Sequence, residues 1–345
     1  MKKLSFFSKI IYAFNLLIAV LLLVACLVPY TSVASFSFLS LGVPILVIVN
    51  SICCCYWLLR RKLHFTASLV ALVVGYFSLG SFIEFRSKTV IDSETENLKV
   101  MTFNALGFNG YSQGNKERVA NAEKIIAFVK KENPDIVCFQ EFDVRRKYTG
   151  DFDQFPYQFM STGAEDKEGR VLLAIFSKYP IHKEGVLDFT DTNNNAIFAD
   201  VVVKKDTLRI YNLHLESLKV RPGMLKNEPS DRLFKRLRYS FSKQQEQAAV
   251  FRTSADAAKH TKIVCGDFNN TQFSSAYRII KGDMKDSFSE KGSGYGKTIN
   301  FWHFPLRIDF VMADPELEIV GHQNYAIKLS DHEPVMASIK HASDK

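Results

Sequence analysis

The sequence is poor in cysteine, with six in 345 residues. Their spacing indicates neither a disulfide framework nor a zinc site. Four of the six fall inside long apolar runs: Cys26, Cys53, Cys54 and Cys55. Cys138 and Cys265 each lie within an apolar strand pattern and are expected to be small buried residues, with a disulfide between them as the alternative. The cysteines therefore do not identify a zinc protein or a disulfide-stapled one.

Charged residues are missing from three apolar stretches in the first quarter of the chain, residues 10–28, 36–59 and 65–83. Each is close to the ~20 residues that a helix needs to cross a bilayer. They predict three transmembrane helices, and with their links they form a membrane anchor over residues 1–88. For the first stretch the alternatives are a cleaved signal peptide and a lipoprotein processing site at Cys26.

Positive charge is concentrated in this anchor. The first 88 residues hold eight of the 44 Lys and Arg but one of the 36 Asp and Glu, so most of the net charge of +8 belongs to them. Arg60, Arg61 and Lys62 separate the second stretch from the third, whereas residues 29–35 carry no charge. The positive-inside rule then places the amino terminus and the Arg60 link in the cytoplasm, and the chain after Glu84 outside it. The remaining residues are nearly neutral, so the basic composition does not by itself indicate a polyanion partner.

The rest of the chain lacks internal repeats and low-complexity tracts. After a short polar linker at 89–97, residues 98–342 have the length of one large α/β domain. Predicted strands cover 98–103, 135–139, 171–176, 196–203, 208–213, 262–265, 308–312 and 335–339. Predicted helices cover 119–129, 243–258 and 275–281. Many strands with few helices predict mixed or antiparallel sheets covered by helices.

Polar side chains stand where several of these strands begin or end. They are Asn104, Glu141, His214, Asp267, Asn269, Asp309, Asp331 and His332. A single Asn or Asp after a strand is usually a turn former, so the interpretation depends on their occurrence as a set. Carboxylates and amides without cysteine suit Mg²⁺ or Mn²⁺, and Glu141 is the first choice of ligand because its neighbours are apolar. The imidazole of His332 is a candidate base.

Six motifs occur in an order that resembles the endonuclease/exonuclease/phosphatase superfamily. They are TFN (102–104), QE (140–141), NLHLES (212–217), GDFN (266–269), RIDF (307–310) and SDH (330–332). The resemblance covers residues 98–339. It implies a four-layer α/β sandwich, with two central mixed or antiparallel sheets flanked by helices, and metal-dependent hydrolysis of a phosphoester by water. With the anchor, the chain resembles a membrane-anchored bacterial member.

The resemblance also implies roles for the polar set. Glu141 is expected to bind the metal ion, with Asn104 and Asp331 close to it. Asp309 is expected to orient His332 as a general base, or to keep it positively charged beside the phosphate. Metal ion and fixed donors would together stabilise the charge of an in-line displacement.

Three further residues are expected to handle the substrate. Asp267 and Asn269 would position the water and the phosphate, and His214 would bind a phosphate oxygen or assist the leaving group. Abasic-site endonucleases carry tyrosine at the point of His214, whereas deoxyribonuclease-like and phosphatase-like members carry histidine. The resemblance therefore disfavours abasic-site repair.

Residues 219–243 form a basic segment inserted after the NLHLES motif. Eight cations stand there against Glu228 and Asp231. Arg232, Lys235 and Arg236 recur at helical spacing, which favours a helix face that binds an anionic substrate or lipid headgroups. A solvated helix face is the alternative interpretation.

These features predict a multi-pass protein of a bacterial inner membrane whose catalytic domain faces the periplasm. Its expected activity is divalent-metal-dependent hydrolysis of a phosphodiester or phosphomonoester in a lipid-linked or small anionic substrate. The first alternative is an extracytoplasmic metal-dependent nuclease, because nucleic acid is a polyanion that the basic segment could bind. The second is a non-catalytic membrane protein that binds a phosphorylated ligand. No protein partner is inferable from the sequence.

Overall fold

The computed structural model of the chain describes residues 5–31, 33–88, 91, 96–108, 115–142, 148–161, 172–220, 229–301 and 304–340. Its helices are α1 (Phe6–Ala25), α2 (Phe38–Leu59), α3 (Phe65–Leu79), α4 (Asn115–Glu132), α5 (Ser230–Ala257), α6 (Ser275–Lys281) and α7 (Ser287–Lys291). Most of the predicted linker at 89–97 lies outside the described residues, as do residues 221–228 of the basic segment and the chain beyond 340.

The described strands form two six-stranded sheets and a separate hairpin. The first sheet contains, in spatial order, β13 (Glu318–Asn324), β14 (Val335–Lys340), β1 (Leu98–Asn104), β2 (Ile136–Gln140), β4 (Ala174–Ser177) and β3 (Tyr157–Met160). The second contains β5 (Ile181–Asp188), β6 (Asn195–Val203), β7 (Asp206–His214), β8 (Thr261–Asp267), β12 (Asp309–Ala313) and β9 (Lys285–Asp286). The hairpin pairs β10 (Ile299–Phe301) with β11 (Phe304–Leu306). The pairs β1–β2 and β7–β8 are parallel, and the other pairs are antiparallel.

Successive side chains of each strand point to opposite faces of its sheet, and this alternation produces four layers. The inward side chains of the two sheets, among them Val100 and Cys138 from the first and Ile263 from the second, form one buried cluster between the sheets. Outward side chains of the first sheet pack against Ile125 of α4, and those of the second against Phe251 of α5. Each such buried side chain stabilises the fold by about 1.5–3 kcal/mol. The predicted four-layer sandwich is confirmed.

Both cysteines expected to be buried lie in the layer between the sheets. Cys138 on β2 and Cys265 on β8 have no exposed surface and are free thiols. Burial raises the pKa of Cys138 well above its ordinary value, and the neighbouring Cys265 thiol raises it further. The pair therefore contributes packing as two small apolar side chains.

The first three helices pack as a bundle. The Asn15 Nδ2 of α1 donates to the carbonyl of His64 at 3.1 Å, and the Asn50 Nδ2 of α2 donates to the carbonyl of Ile18 at 3.2 Å. The segments Phe6–Tyr30 and Phe38–Leu59 are long and apolar enough to cross a membrane, which by length and composition alone is weak evidence.

The third helix is shorter than predicted. α3 has 15 residues and ends at Gly80, whose φ of 83° no other residue type adopts readily. At 1.5 Å per residue it is about 22 Å long, less than the ~30 Å of a bilayer core. The prediction of a span-length helix over 65–83 is therefore wrong, because Gly80 turns the chain out of the helix four residues early.

Gly266 is the one residue of the GDFN motif whose backbone demands glycine. Its φ is 152°, and a Cβ at this position would collide with the carbonyl oxygen of Leu213 on the neighbouring parallel strand. We expect Gly266→Ala to lower the Tm of the sandwich domain by about 5 °C or more, as a loss of a few kcal/mol does in a domain of this size. Thermal unfolding of the full chain in detergent measures it. Gly150→Ala, where a Cβ would meet nothing within 4 Å, is the control. Equal Tm values for the two variants would contradict the strain assigned to Gly266.

Candidate functional site

One edge of the sandwich collects the ends of strands from both sheets. Because β1 and β2 are parallel, Asn104 and Gln140 end side by side, and Glu141 follows directly. In the second sheet, His214 and Asp267 end β7 and β8 in the same register. β12 runs antiparallel to β8 and begins at this edge. Strand ends of this kind are where α/β folds place ligand-binding groups.

A cleft of about 350 Å³ opens at this edge. Its lining includes six of the eight predicted polar residues: Glu141, His214, Asp267, Asn269, Asp331 and His332. The other two, Asn104 and Asp309, are buried directly behind it, at 1% and 2% exposure, and hydrogen-bond to the lining. The structure thus brings all eight strand-end residues together.

Asp267 lies at the centre of the cluster. Its Oδ2 accepts a hydrogen bond from the Asn104 Nδ2 at 3.0 Å and lies 3.5 Å from the Nε2 of His214 and 3.7 Å from the Nε2 of His332. Its Oδ1 accepts from the backbone N–H of Asn269 at 2.8 Å. Burial raises the pKa of Asp267, although the two imidazoles oppose the shift. A cation beside this carboxylate would favour its ionised form.

His332 is held by Asp309. The Nδ1 of His332 lies 2.9 Å from the Asp309 Oδ2 and 3.1 Å from its Oδ1. The Nδ1–H therefore donates to the carboxylate, and the Nε2 is left facing the cleft. Burial by itself lowers the pKa of His332, but the Asp309 and Asp267 carboxylates outweigh it and raise the pKa well above its ordinary value. The backbone N–H of Asp309 in turn donates to the Thr298 hydroxyl at 3.2 Å.

His214 has the opposite electrostatic character. Burial lowers its pKa, and this outweighs the attraction of Asp267. This lowered pKa favours the neutral ring, whose Nε2 lies 3.9 Å from the Glu141 Oε1. Two imidazoles shifted in opposite directions are typical of sites that separate acid and base functions.

Glu141 occupies a strained position directly after β2. Its φ is 51°, a left-handed conformation that costs about 1–2 kcal/mol for a residue with a side chain. Two backbone hydrogen bonds hold the turn. The N–H of Gly107 donates to the Glu141 carbonyl at 2.8 Å, and the N–H of Phe142 donates to the Leu172 carbonyl at 3.0 Å. Asn269 is also left-handed, with a φ of 49°. Such strain is commonly retained where it aims a side chain at a ligand.

The carboxylates of the cleft fit a divalent cation. Burial raises the pKa of Glu141, and the nearby Asp331 raises it further. A hard cation would relieve both effects, and oxygen ligands are those that Mg²⁺ and Mn²⁺ prefer. Candidate ligand atoms of Asp267, Asp309 and His332 also lie within 4.8 Å of one another. In that trio, however, Asp309 is already engaged by the His332 Nδ1. Glu141 and Asp331 both line the cleft, and metal binding by them stays a prediction.

The predicted basic residues lie elsewhere. Arg232, Lys235 and Arg236 are on the amino-terminal half of α5, and the cleft lining does not include them. From the same segment, Lys219 and Val220 do line the cleft, and the Lys219 Nζ pairs with the Glu216 Oε1 at 2.7 Å. Substrate binding by the three predicted cations therefore remains a prediction.

Several site residues were not foreseen from the sequence. A buried hydrogen bond of 2.6 Å from Gln140 to Asn212 joins the two sheets beneath the cleft. Both belong to the QE and NLHLES motifs, so the signal was present but was attributed to their neighbours. Leu41, from the apolar helix α2, also lines the cleft. Nothing in the sequence of an apolar helix could have indicated this contact.

Comparison with protein families agrees with this geometry. The model described as "Endonuclease/Exonuclease/phosphatase family" matches residues 101–332, more than half of the chain. The chain therefore belongs to the endonuclease/exonuclease/phosphatase family, whose members are hydrolases acting on phosphoester bonds. A second model, "Domain of unknown function (DUF8431)", matches residues 8–82. No curated protein sequence matches the chain significantly.

Solved structures share the fold. An endonuclease/exonuclease/phosphatase from Bacteroides vulgatus has 18% identity and a TM-score of 0.55, covering 71% of this chain and 99% of its own. A mannosyl-6-phosphatase from Bacteroides thetaiotaomicron has 16% identity and a TM-score of 0.53, covering 71% of this chain and 100% of its own. D. rerio TDP2 complexed with a single-strand DNA product has 14% identity and a TM-score of 0.54, covering 72% and 100%. At these identities the likeness concerns the fold alone.

Proposed function

We propose that the chain is a membrane-anchored phosphoesterase that depends on Mg²⁺ or Mn²⁺ and hydrolyses a lipid-linked or small anionic phosphoester by attack of water. The observation that carries this proposal is the cluster around Asp267, where carboxylates from both sheets and two imidazoles of opposite pKa shift face one cleft. Structural ion pairs rarely need so many buried titratable groups at the mouth of a cavity.

The roles follow from the contacts. Glu141 and Asp331 would hold the cation, and Asn104, which donates to Glu141 at 3.2 Å, would orient the first carboxylate. A bound divalent cation stabilises charge on the transferring phosphoryl group. His332, whose pKa is raised by Asp309 and Asp267, would either donate its Nε2 proton to a phosphate oxygen as the imidazolium or, in its neutral form, accept the proton of the attacking water at Nε2.

Three residues are assigned to the substrate. Asp267 and Asn269 would position the water and the phosphate, since the Asn269 backbone N–H already holds the Asp267 Oδ1. Neutral His214 would donate its Nε2 proton in a hydrogen bond to a phosphate oxygen. Such fixed donors stabilise the charge that develops in the transition state.

The anchor is assigned from its charges and packing. α1 and α2 would cross the membrane, with Arg60, Arg61 and Lys62 on the cytoplasmic side. The links at the other ends of these helices contact the catalytic domain: Tyr30 stacks under the Arg278 guanidinium at 3.8 Å. This arrangement supports a catalytic domain over residues 98–342 on the periplasmic side of a bacterial inner membrane.

An activity screen on the purified full chain tests the function. We expect hydrolysis of bis(p-nitrophenyl) phosphate or p-nitrophenyl phosphate with Mg²⁺ or Mn²⁺, loss of that activity in EDTA, and its recovery when the metal is returned. The panel includes phosphatidylglycerol, inositol phosphate and plasmid DNA. No hydrolysis of any phosphoester, with ligand binding unaffected by changes at Glu141 or His332, would favour a non-catalytic binding protein.

An extracytoplasmic nuclease is the second candidate. The basic amino-terminal half of α5 favours it, since cations along a groove are what nucleic acid binding requires. A structure with the same fold was also solved with a single-strand DNA product. Rapid nicking of plasmid without turnover of lipid or small phosphoesters would make the nuclease the better assignment.

A further inference from the structure

The membrane anchor contributes to the wall of the catalytic cleft. Leu41, in the first turns of α2, lines the same cavity as Glu141, Asp267 and His332. α2 continues from this point as an apolar helix of membrane-spanning length. The cavity that holds the candidate catalytic groups is therefore continuous with a surface made by a membrane helix.

Specific contacts hold α2 against the catalytic loop. The Ser40 hydroxyl lies 3.0 Å from the Asn270 Oδ1, and the Thr271 hydroxyl donates to the Ser40 carbonyl at 3.1 Å. Asn270 also donates to Gln244 of α5 at 2.7 Å. The next aromatic residue of the loop, Phe273, is 1% exposed and packs inside the cluster formed by the anchor helices. All these contacts lie immediately after GDFN, so the position of Leu41 relative to Asp267 and Asn269 is fixed by packing.

The length of α2 places Leu41 at the boundary of the bilayer core. From Leu41 to Arg60 the helix rises by about 28 Å at 1.5 Å per residue. The hydrocarbon core is about 30 Å thick, and Arg60 marks its cytoplasmic end. Leu41 therefore lies at the depth where the acyl chains of the outer leaflet join their headgroups.

The cleft itself is amphiphilic. Its lining combines the polar cluster, which we call the polar floor, with a set of apolar side chains, which we call the rim; Asn193, Asn194, Ser217 and Lys219 line it as well. The apolar lining consists of Leu41, Leu218, Val220, Ile299, Leu306 and Ile308. Leu218, Leu306 and Ile308 are nearly buried, because they also pack against the interior of the domain. A small sugar phosphate or a nucleotide backbone would leave this rim without an apolar partner.

The basic amino-terminal half of α5 packs beside the start of α2, close to Leu41 in the chain. The ring of Phe234 on α5 packs edge-on against Phe38 of α2 at 6.5 Å. Arg232 and Lys235, on either side of Phe234, are exposed. Cations next to an aromatic pair at the end of a membrane helix are typical of contact with anionic lipid headgroups.

From these observations we infer that the substrate is a membrane lipid whose phosphoester enters the polar floor while its hydrocarbon chain passes between Leu41 and the side chains of Ile299 and Leu306. This assignment rests on the proposed function. The anchor then forms part of the substrate site. The chain of the lipid leaves the cleft at the level where the bilayer core begins, so the substrate stays partly embedded during hydrolysis.

Activity on matched substrates tests this assignment with the full chain in nanodiscs. Dioleoyl phosphatidic acid is compared with glycerol 3-phosphate, and dioleoyl phosphatidylglycerol with its deacylated form, so that each pair shares one phosphoester with and without chains. We expect kcat/KM to favour the acylated member. Leu41→Ala should reduce the acylated-to-deacylated ratio about tenfold, as expected when the contact of one leucine side chain is lost.

Ile52→Ala is the matched control, because Ile52 is 62% exposed and lies eleven residues further along α2, about 16 Å from Leu41. This variant should keep the wild-type ratio. Equal kcat/KM for acylated and deacylated substrates in the wild-type chain, or equal ratios for both variants, would overturn the assignment. A chain that hydrolyses only soluble phosphoesters would retain the proposed function and lose the lipid assignment.

A binding measurement decides the matter even if no activity is found. Phosphatidic acid with a photoreactive diazirine in its acyl chain is irradiated with the full chain in nanodiscs containing EDTA, and labelled peptides are identified by mass spectrometry. We expect label on the Ile299–Leu306 hairpin, competed by unlabelled phosphatidic acid and not by phosphatidylcholine. Label confined to outward positions of α1 and α2 would contradict chain binding in the cleft.

Discussion

Replacing Glu141 by glutamine is expected to reduce kcat/KM for phosphoester hydrolysis by about a thousandfold or more. The amide keeps the shape of the side chain and its contact with Asn104, but it removes the negative charge that would hold a divalent cation. Metal ions contribute several kcal/mol to stabilising a transferring phosphoryl group, and each 1.36 kcal/mol corresponds to a tenfold change in rate. Initial rates across a Mg²⁺ titration measure the loss.

The same variant should bind Mg²⁺ more weakly, which calorimetry detects without any turnover. Glu246→Gln is the control, since the Glu246 carboxylate is 57% exposed and pairs with Lys243 outside the cleft. That variant should keep wild-type rates and affinity. Wild-type Mg²⁺ affinity in Glu141→Gln would remove Glu141 from the metal site, and the proposal would then pass to Asp331 and Asp267.

Asp309→Asn is expected to lower kcat/KM by about 10²–10⁴, the range contributed by general acid–base catalysis. An amide at this position no longer stabilises the imidazolium form of His332. Because Asp309 is the main carboxylate raising the pKa of His332 against the effect of burial, its loss moves that pKa down. The limb of the pH–rate profile that belongs to His332 should therefore shift to lower pH.

Which limb of the pH–rate profile shifts distinguishes the two roles considered for His332. A shift of the acid limb means that neutral His332 is needed as a base, whereas a shift of the alkaline limb means that the imidazolium is needed beside the phosphate. Asp314→Asn is the matched control, because Asp314 follows the other end of β12, where it pairs with Lys262 at 2.9 Å. An unshifted profile in Asp309→Asn, with a loss no larger than that of Asp314→Asn, would contradict the pairing.

The strands missed by sequence reasoning have a common physical cause. β5 and β3 are edge strands, and β5 (Ile181–Asp188) is largely exposed, so it carries little of the apolar alternation on which prediction depends. β13, at the other edge, owes part of its burial to His322, which bonds to Ser287 and Asn324 at 2.8 Å. Central strands such as β8 were recognised because Ile263, Val264 and Cys265 form a buried, unbroken apolar run that ends where the site begins.

The helices show the same dependence on context. α6 was predicted with its observed bounds, since its Ser274 cap and Gly282 stop are local signals. α5 begins at Ser230 instead of the predicted Lys243. Its first turns are basic, and the apolar side chain among them, Phe234, packs against Phe38 of α2, a contact that the local sequence does not reveal. α3 ends early at Gly80, a residue that the apolar composition of the stretch concealed.

The ordered motifs in the sequence indicated the family, and through that resemblance the four-layer sandwich. Strand periodicity located the eight polar residues at the strand ends, because both signals are local and do not depend on coordinates. Tertiary structure decided what lies between those residues and around them. The register of β7, β8 and β12 brings His214, Asp267 and Asp309 to one edge, and a buried hydrogen bond from Ser40 to Asn270 brings the apolar helix α2 to the same cleft. A contact between residues 230 positions apart in the chain leaves no periodic trace in an apolar helix, so only packing could show that α2 borders the site.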